Sequence, residues 1–480
     1  MQEHYDYAII GAGPCGLTLA YQLLQGGKKV LLIDRDDRVG GLAKSHYYGA
    51  HVFDTGPKRF HTDDTVVMDF IEKMTRGAIL RIPRSTKVHF SGRYFEWPLQ
   101  TRDIFQMPFS ISLKCAADLL KKRSSRDAAS FHDYIRVKYG ETLYGLFFKP
   151  YTQKFLRWDP DDIHADWAST GINRTVIDKR IQSNTLMDLC KTLLLPEKIK
   201  TEFLYPSEKG FGGFYDKLLS RCQEYEHFTL LLKDSPADIE PRKDNLMIQT
   251  KSGKCLACQD LVWSGNLNDL CQIIRSEERL HYLNTIFYNI ICRQEGIGAQ
   301  KAQWIYVSKG ESLISRITCM KEFASYTCPD GYYNVICELT DSQNAPVYFH
   351  NPRQYGDVIL QELASMGFLK DLKCVEAVQI NPVVDTYPIY HRRYKKDFAA
   401  AFRDIKRFSP HIHLAGRSGA FWYNNSDHSI RFAIESAKKF LTRQEQDFDY
   451  RQYFGGEAGI SQGKKQKDTE TYDKGEEPNG

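Results

Sequence analysis

Tyr5-Asp-Tyr-Ala-Ile-Ile10 runs directly into Gly11-Ala-Gly13-Pro-Cys-Gly16, and an apolar stretch, Leu17 to Leu24, follows. A buried strand, three spaced glycines and a helix start form a dinucleotide-binding turn. Gly11 permits the tight bend, Gly13 lets backbone approach a pyrophosphate, and Gly16 lets helix and strand pack closely. The helix start then offers unpaired N–H groups and the positive end of its dipole to phosphate. Glycine triplets also occur in ordinary loops, so two further features carry the reading. Lys29-Val-Leu-Leu-Ile33 reads as a second parallel strand ending on Asp34, 18 residues after Gly16, where an acid suits a ribose hydroxyl. Val39-Gly40-Gly41 follows in the next turn, and such a doublet lets backbone pass a second phosphate or a flavin.

With 480 residues the chain is too long for one compact core, which predicts two or three subdomains. Its 42% hydrophobic and 26% charged residues are the proportions of a soluble globular protein. The net charge of +5 makes no case for nucleic acid and leaves room for a small anionic substrate. No run approaches the ~18 uncharged apolar residues that cross a bilayer, so no integral membrane segment is expected. Glu3 and Asp6 stand where a signal peptide would be basic and then apolar. The twelve cysteines are scattered; Cys255 and Cys258 form a C-x-x-C with no second pair at zinc-ribbon distance, so no metal site is expected. These features together predict a cytoplasmic protein.

Further along, Val52-Phe53-Asp54 reads as a short strand, and the turn Thr55-Gly56-Pro57 presents Lys58, Arg59 and His61 near the glycine doublet. Lys87–Phe90 and Arg93–Phe95 form a hairpin about Ser91-Gly92, closed by Trp97-Pro98-Leu99. From Ile104 to about Tyr144 the period is helical. The aromatic run Tyr144–Trp158 suits either a buried core or a ligand wall. Tyr205-Pro206 and Gly210–Gly213 read as a loop before a helix, Phe214–Arg221. The short strands Phe228–Leu232, Ala237–Glu240, Leu246–Thr250 and Leu256–Gln259 read as a meander returning to Leu261-Val-Trp263. Tyr288–Ile291, Trp304–Tyr306, Ile314–Thr318 and Asn334–Leu339 supply a second sheet. Arg316 lies inside one of these runs, where a substrate anion or a salt bridge would balance it. Ile412–Ala415 then enters Gly416-Arg417-Ser-Gly419 and a helix with Ile430, Ala433, Ile434, Ala437, Phe440 and Leu441 on one face, capped by Ser426 or Asp427. After about Tyr453 almost nothing is apolar, which predicts disorder.

Those motifs in that order resemble the flavin-dependent amine oxidase and protoporphyrinogen oxidase superfamily, and within it the UDP-galactopyranose mutase-like branch. The narrower signals are FDTGPKRFHT, FFKPYTQKFLRW followed by ADWA, WIY306 with ISR316, TYP388 and GRSGAFWYNNSDHS. The resemblance implies an α/β chain with a two-dinucleotide-type (glutathione-reductase-like) FAD-binding Rossmann fold, a helical insertion and a second mixed β-sheet substrate domain. It implies bound FAD, with Gly11, Gly13, Gly16 and Asp34 on the ADP half, Gly40 and Gly41 along the pyrophosphate and flavin, and Arg417 and Asp427 by the isoalloxazine and ribityl end. Tyr306, Arg316, Tyr387 and Tyr423 fall where mutases clasp a substrate diphosphate. Two departures stand out: a mutase arginine falls at Gly171, with Arg174 nearby, and a histidine that lies against the flavin is Lys58 here.

The expected division is 1–90, 205–275 and 381–445 for the FAD-binding domain, 91–204 for a helical insertion, 276–380 for the substrate-binding sheet and 446–480 for a disordered tail. The expected function is that of an FAD-dependent oxidoreductase acting on a nucleotide sugar or other anionic glycan-pathway substrate, with NAD(P)H as a candidate electron donor. Lys58, Arg59, Arg316 and Tyr387 are the candidate catalytic residues, and Tyr306, Arg316, Tyr387 and Tyr423 the candidate substrate ligands. Three alternatives stay open: a UDP-galactopyranose mutase using reduced flavin N5 as nucleophile, an amine oxidase or desaturase, and a non-catalytic FAD-binding protein.

Overall fold

A computed structural model of the chain describes residues 3–97, 109–120, 130–171, 202–308 and 310–442. The chain opens with β1 (His4–Ile10), α1 (Pro14–Gln25), β2 (Val30–Ile33), β3 (Ser45–Tyr48), β4 (His51–Asp54), α2 (Thr65–Thr75), β5 (Ile79–Pro83), β6 (Thr86–Phe90) and β7 (Arg93–Glu96). Helices α3 (Phe109–Leu120), α4 (Phe131–Tyr139), α5 (Lys149–Leu156) and α6 (Ala165–Gly171) follow. Then come β8 (Glu202–Pro206), α7 (Gly213–Cys222), β9 (Phe228–Leu231), β10 (Pro236–Pro241), β11 (Leu246–Thr250) and β12 (Cys255–Trp263). The second half holds β13 (Tyr282–Arg293), β14 (Trp304–Val307), β15 (Arg316–Cys319), β16 (Tyr332–Ser342), β17 (Val375–Pro388), α8 (Tyr394–Phe408), β18 (Ile412–Leu414) and α9 (Ser426–Thr442).

The first sheet runs β10-β11-β12-β1-β2-β9, with β18 parallel to β12. Its centre is parallel, and β2 is buried along its whole length, as an apolar run covered on both faces must be. Here the expected meander is corrected. Phe228–Leu231 does not lead into it; β9 pairs parallel with β2 on the far edge, and only β10, β11 and β12 run antiparallel in succession. The segments Leu256–Gln259 and Leu261–Trp263 are one strand, β12. Tyr205-Pro206, expected in a loop, ends β8, which pairs antiparallel with β5; a proline is tolerated there because it closes a two-stranded edge.

The second sheet runs β17-β13-β16-β15-β14-β6-β7. β13 is buried except at its last residue and pairs with β16 and β17 on its two sides. The hairpin β6–β7 joins this sheet through a parallel pairing of β6 with β14. The long helical stretch expected from Ile104 divides, in its described part, into α3 and α4. Ile104, Pro98-Leu99, Arg174 and the tail 446–480 lie outside the described residues.

The first and last helices pack together. A Cβ on Gly26 would fall 2.3 Å from Leu441 Cδ2, and the Tyr7 ring lies 5.1 Å from that of Phe440. Asp64 caps α2 by accepting from the Val66 and Val67 N–H groups at 2.9 and 3.2 Å, and Arg431 on α9 reaches the same oxygen at 3.0 Å. Helices α1 and α2 thereby both pack against α9. No helix among the described residues is long and apolar enough to cross a membrane.

Candidate functional site: a glycine cradle and a basic cavity

Three glycine turns meet at the carboxyl ends of β1 and β12. Gly11 has φ +100°, and its N–H donates to the Ile33 carbonyl at 2.8 Å. A Cβ on Gly16 would stand 2.0 Å from the Gly11 carbonyl oxygen, so only glycine lets α1 start this close to the turn. The Gly40 N–H donates to the Ala12 carbonyl at 2.8 Å, and a Cβ on Gly41 would lie 3.1 Å from Gly13 Cα. From the other end of the chain, Gly416 has φ +71°, and a Cβ there would meet Ser264 Oγ at 2.5 Å and Cys15 Cβ at 3.1 Å. A Cβ on Gly419 would stand 2.2 Å from the Trp263 carbonyl oxygen. The start of α1 carries no side-chain cap and no acidic residue in its first turn, which leaves its N–H groups for another acceptor. Asp34 is buried; its carboxylate accepts from the Ala12 N–H at 2.6 Å and the Asp36 N–H at 2.8 Å, while burial pushes its pKa up. Whatever else it holds, Asp34 holds the first glycine turn to the end of β2.

The opposite wall begins at β4. Gly56, with φ +82°, turns the chain beneath Glu338; a Cβ there would stand 2.6 Å from Glu338 Oε1. Arg316 and Glu338 lie directly opposite one another on β15 and β16. Arg316 Nε donates to Oε1 at 2.8 Å and Nη2 to Oε2 at 2.6 Å, and Nη2 also reaches the Tyr387 hydroxyl at 3.2 Å. This resolves the alternatives for Arg316. Its charge is balanced within the fold by Glu338, so an incoming anion meets its remaining N–H groups without a net positive charge.

Lys58 and Arg59 leave the same turn. Lys58 is half-buried, and its ammonium has no hydrogen-bond or ion-pair partner among the described residues. Burial first, then the charges of Arg417 and Arg316, lower its pKa to about 7. Arg59 donates from Nη1 to the Pro57 carbonyl at 3.1 Å and lies against the rings of Phe203 and Trp304, with its buried Nε unpartnered. His61 packs against Phe203, and burial together with Arg59 and Arg84 drives its pKa down to about 3, so it is neutral at pH 7.

Arg417 donates from Nε and Nη2 to the Thr386 carbonyl at 3.1 and 2.8 Å and from Nη1 to the Asn424 carbonyl at 2.6 Å. Its guanidinium lies 4.7 and 4.6 Å from the ring centres of Tyr387 and Tyr423. Tyr423 stacks on Trp167 at 4.8 Å, Tyr387 meets Phe155 at 5.1 Å, and Tyr306 meets Tyr151 at 6.0 Å. Asp427 is buried in the first turn of α9; burial lowers the pKa of Arg59, and Asp427 is among the groups that oppose that shift.

Contacts thus join Arg316, Tyr387, Arg417 and Tyr423 into one basic, aromatic cluster, with Tyr306 opposite Arg316 on β14 and Lys58 and Arg59 on the turn that carries Gly56. Sequence reading missed Glu338, Tyr151 and Trp167. The signal for Glu338 was present: a lone acid in the apolar run Asn334–Leu339 needs a buried cation, and Arg316 is in the preceding strand. Gly171, at the position of the missing arginine, ends α6.

This arrangement is a fold of Rossmann type. Residues 9–74 match the family model described as an NAD(P)-binding Rossmann-like domain. More particularly, the chain is similar to the UDP-galactopyranose mutases. It is 27% identical over 174 residues to the probable UDP-galactopyranose mutase of Klebsiella pneumoniae, an alignment covering 33% of this chain and 42% of the relative. The chain therefore spans less than half the length of that curated relative. The fold matches a crystal structure of reduced UDP-galactopyranose mutase with a TM-score of 0.75 at 18% identity, covering 95% of this chain and 98% of that one. It matches a putative protoporphyrinogen oxidase from Exiguobacterium sp. 255-15 with a TM-score of 0.72 at 14% identity, covering 92% and 100%. At those identities the structural likeness is one of fold. The resemblance read from the motifs, to the superfamily and to its mutase-like branch, is borne out.

Proposed function

We propose that the chain is an FAD-dependent oxidoreductase of the UDP-galactopyranose mutase-like branch, acting on a nucleotide sugar or another anionic substrate of glycan assembly. The observation that carries this is the pairing of a glycine cradle with an adjoining cluster of Lys58, Arg59, Arg316 and Arg417 among aromatic rings. The residues fit FAD. Side chains at Gly16, Gly41 and Gly416 would fill the cradle or force it apart, and the uncapped start of α1 suits a pyrophosphate. In this reading Gly11, Gly13, Gly16 and Asp34 hold the ADP half, Gly40 and Gly41 line the pyrophosphate and flavin, and Arg417 and Asp427 flank the ring and ribityl end. The sheet topology supports the two-dinucleotide, glutathione-reductase-like variant, and the domain division given above is kept as part of the proposal.

FAD when bound supplies the electron sink and source. The chain's own residues bind and orient the substrate. Tyr306, Tyr387 and Tyr423 offer hydroxyls and ring faces, and Trp167 and Phe155 keep water from the inner wall. Arg316 presents its remaining N–H groups with its orientation fixed by Glu338. Lys58 can take up or release a proton near neutrality, and Arg59 adds a permanent charge from the same turn.

Strict mutase activity has weaker support, because a neutral glycine stands where a mutase arginine falls and a lysine where a histidine does. The test is direct. Purified protein is expected to be yellow, with a flavin absorbance bleached by anaerobic NADPH or by dithionite. Dithionite-reduced protein incubated with UDP-galactopyranose is expected to yield no furanose product. A colourless protein that takes up no added FAD overturns the proposal; furanose formation replaces it with the mutase reading.

A further inference from the structure

We propose that Lys154 is a positioning residue for the basic, aromatic cluster: its buried ammonium ties α5, which presents Tyr151 and Phe155, to the hairpin β14–β15, which presents Tyr306 and Arg316. The consequence for a nucleotide sugar rests on the function proposed above; the tie itself rests on hydrogen bonds.

Lys154 is 4% exposed and stands between Tyr151 and Phe155 in the aromatic run of the sequence. Its Nζ donates to the Val307 carbonyl at 2.5 Å and to the Ile314 carbonyl at 2.9 Å. Those carbonyls belong to opposite arms of the hairpin. Tyr306 and Arg316 are paired across it; Val307 follows Tyr306, and Ile314 lies shortly before Arg316. The Val307 N–H closes the same end by donating to the Ser315 carbonyl at 3.1 Å. One ammonium therefore grips both arms beside the two side chains that face the cluster. The helix brings its rings to the same place. Tyr151 lies 6.0 Å from Tyr306, and Phe155 lies 5.1 Å from Tyr387, whose hydroxyl is 3.2 Å from Arg316 Nη2.

Further contacts hold the same parts from other directions. Glu362, on the helix Gly356–Ser365, accepts from Ser312 Oγ at 2.6 Å, the Leu313 N–H at 2.9 Å and the Ile314 N–H at 3.3 Å. Ile314 is thus held by its carbonyl from one side and by its N–H from the other. A Cβ on Gly310 would lie 3.3 Å from Pro150 Cβ, so the hairpin loop also rests on the start of α5. The Lys154 carbonyl accepts from Thr340 Oγ1 at 3.3 Å, which fixes the helix to β16, the strand that carries Glu338.

The choice of lysine supports the reading. An ammonium costs more to bury than a hydroxyl or an amide, and burial lowers the Lys154 pKa to about 7, with Glu362 opposing that shift. Shorter neutral donors could satisfy two buried carbonyls one at a time. A flexible four-carbon stem ending in several donors reaches from a helix to both arms of a hairpin at once. With its Nζ on backbone carbonyls, Lys154 acts on a substrate through the residues it holds.

The experiment compares FAD-loaded wild type, Lys154→Met, Tyr306→Ala, their double variant and Tyr288→Phe. The last is a control for lost stability: the Tyr288 hydroxyl donates to the Pro352 carbonyl at 2.8 Å, in the core on the other face of the second sheet. UDP-galactose is titrated while flavin absorbance and tryptophan fluorescence are followed. Lys154→Met is expected to keep wild-type flavin content and to bind UDP-galactose about ten- to a hundredfold more weakly, while Tyr288→Phe keeps wild-type affinity. In the Tyr306→Ala background the same substitution is expected to cost less than about threefold, because a residue it positions is gone. Unchanged affinity in Lys154→Met overturns the proposal. So does a penalty as large without Tyr306 as with it, or an equal penalty in Tyr288→Phe. Lys154→Gln, polar but too short to span both carbonyls, is expected to show the same pattern and replaces the methionine variant if that one does not fold. Hydrogen exchange separates the two levels of inference. The amides of α5, β14 and β15 are expected to exchange at least about tenfold faster in Lys154→Met than in wild type or Tyr288→Phe. Equal rates overturn the tie whether or not a ligand binds. A wild type that shows this exchange pattern but binds no UDP-galactose keeps the tie and overturns the nucleotide-sugar reading alone.

Discussion

Replacing Arg316 by methionine while leaving Glu338 in place is expected to cost about 3–5 kcal/mol of folding stability. The geometry sets that scale. The two groups share hydrogen bonds of 2.8 and 2.6 Å, and the Glu338 side chain is 1% exposed against 15% for Arg316. Opposite charges about 4 Å apart attract by about 4 kcal/mol at an effective permittivity of about 20. Removing the guanidinium leaves the carboxylate with neither water nor counter-ion. Glu338→Gln keeps the shape and strands the cation instead, but that cation borders the cavity. Its cost is therefore expected to shrink in sulfate, whereas that of Arg316→Met is not. The double variant Arg316→Met/Glu338→Gln removes both charges and should recover at least half of the Arg316→Met loss. Urea denaturation of the four proteins, followed by fluorescence and circular dichroism together, gives the coupling energy where the two probes coincide. We expect more than about 2 kcal/mol. A coupling below about 0.5 kcal/mol would refute the reasoning and return Arg316 to service as a free anion anchor.

Gly16→Ala would set a Cβ 2.0 Å from the Gly11 carbonyl oxygen, so the turn must move by about 1 Å; a loss of about 1–3 kcal/mol and of bound flavin is expected, and wild-type flavin content would count against the cradle. Lys58 has its folded pKa lowered from 10.5 to about 7, so the contribution of its neutral form is present above 10.5 and lost as pH falls through 7. Lys58→Met should therefore melt higher than wild type by most at or below pH 7, with the gap closing as pH rises towards 10.5; a gap that widens with pH contradicts the half-buried, unpaired lysine. Asp64→Ala removes the acceptor for two N–H groups of α2 and for Arg431 and should cost about 1–2 kcal/mol in a urea titration; an unchanged midpoint would show that the cap carries no weight.

The Rossmann-type end was legible because its signals are local. A strand apolar at nearly every position, glycines whose spacing has few other uses and an acid at the next strand end lie within about thirty residues. Non-local pairing was harder to see. Nothing within Phe228–Leu231 tells a parallel partner from an antiparallel one, and β9 pairs with β2 almost two hundred residues earlier. β13 was read as the four residues Tyr288–Ile291 because Asn284 and Thr285 break the apolar pattern before them, yet both are buried in a strand of twelve. Proline at 206 imitated a turn. In the cavity, the identities of the basic and tyrosine residues were readable from motif order. The pairing of Arg316 with Glu338 was not, since it depends on the register of β15 against β16.

The packing of α1 against α9 has a consequence for synthesis. The helix that begins at Pro14 leaves the ribosome early, but the surface that covers it is translated roughly 400 residues later, a wait of about 20–80 s at about 5–20 residues per second. Throughout that interval the nascent amino-terminal unit carries a bare greasy flank and only two of the three glycine turns. Its maturation is thus timed by the last helix, and a ribosome stalled before α9 should leave behind a sticky fragment that recruits chaperones.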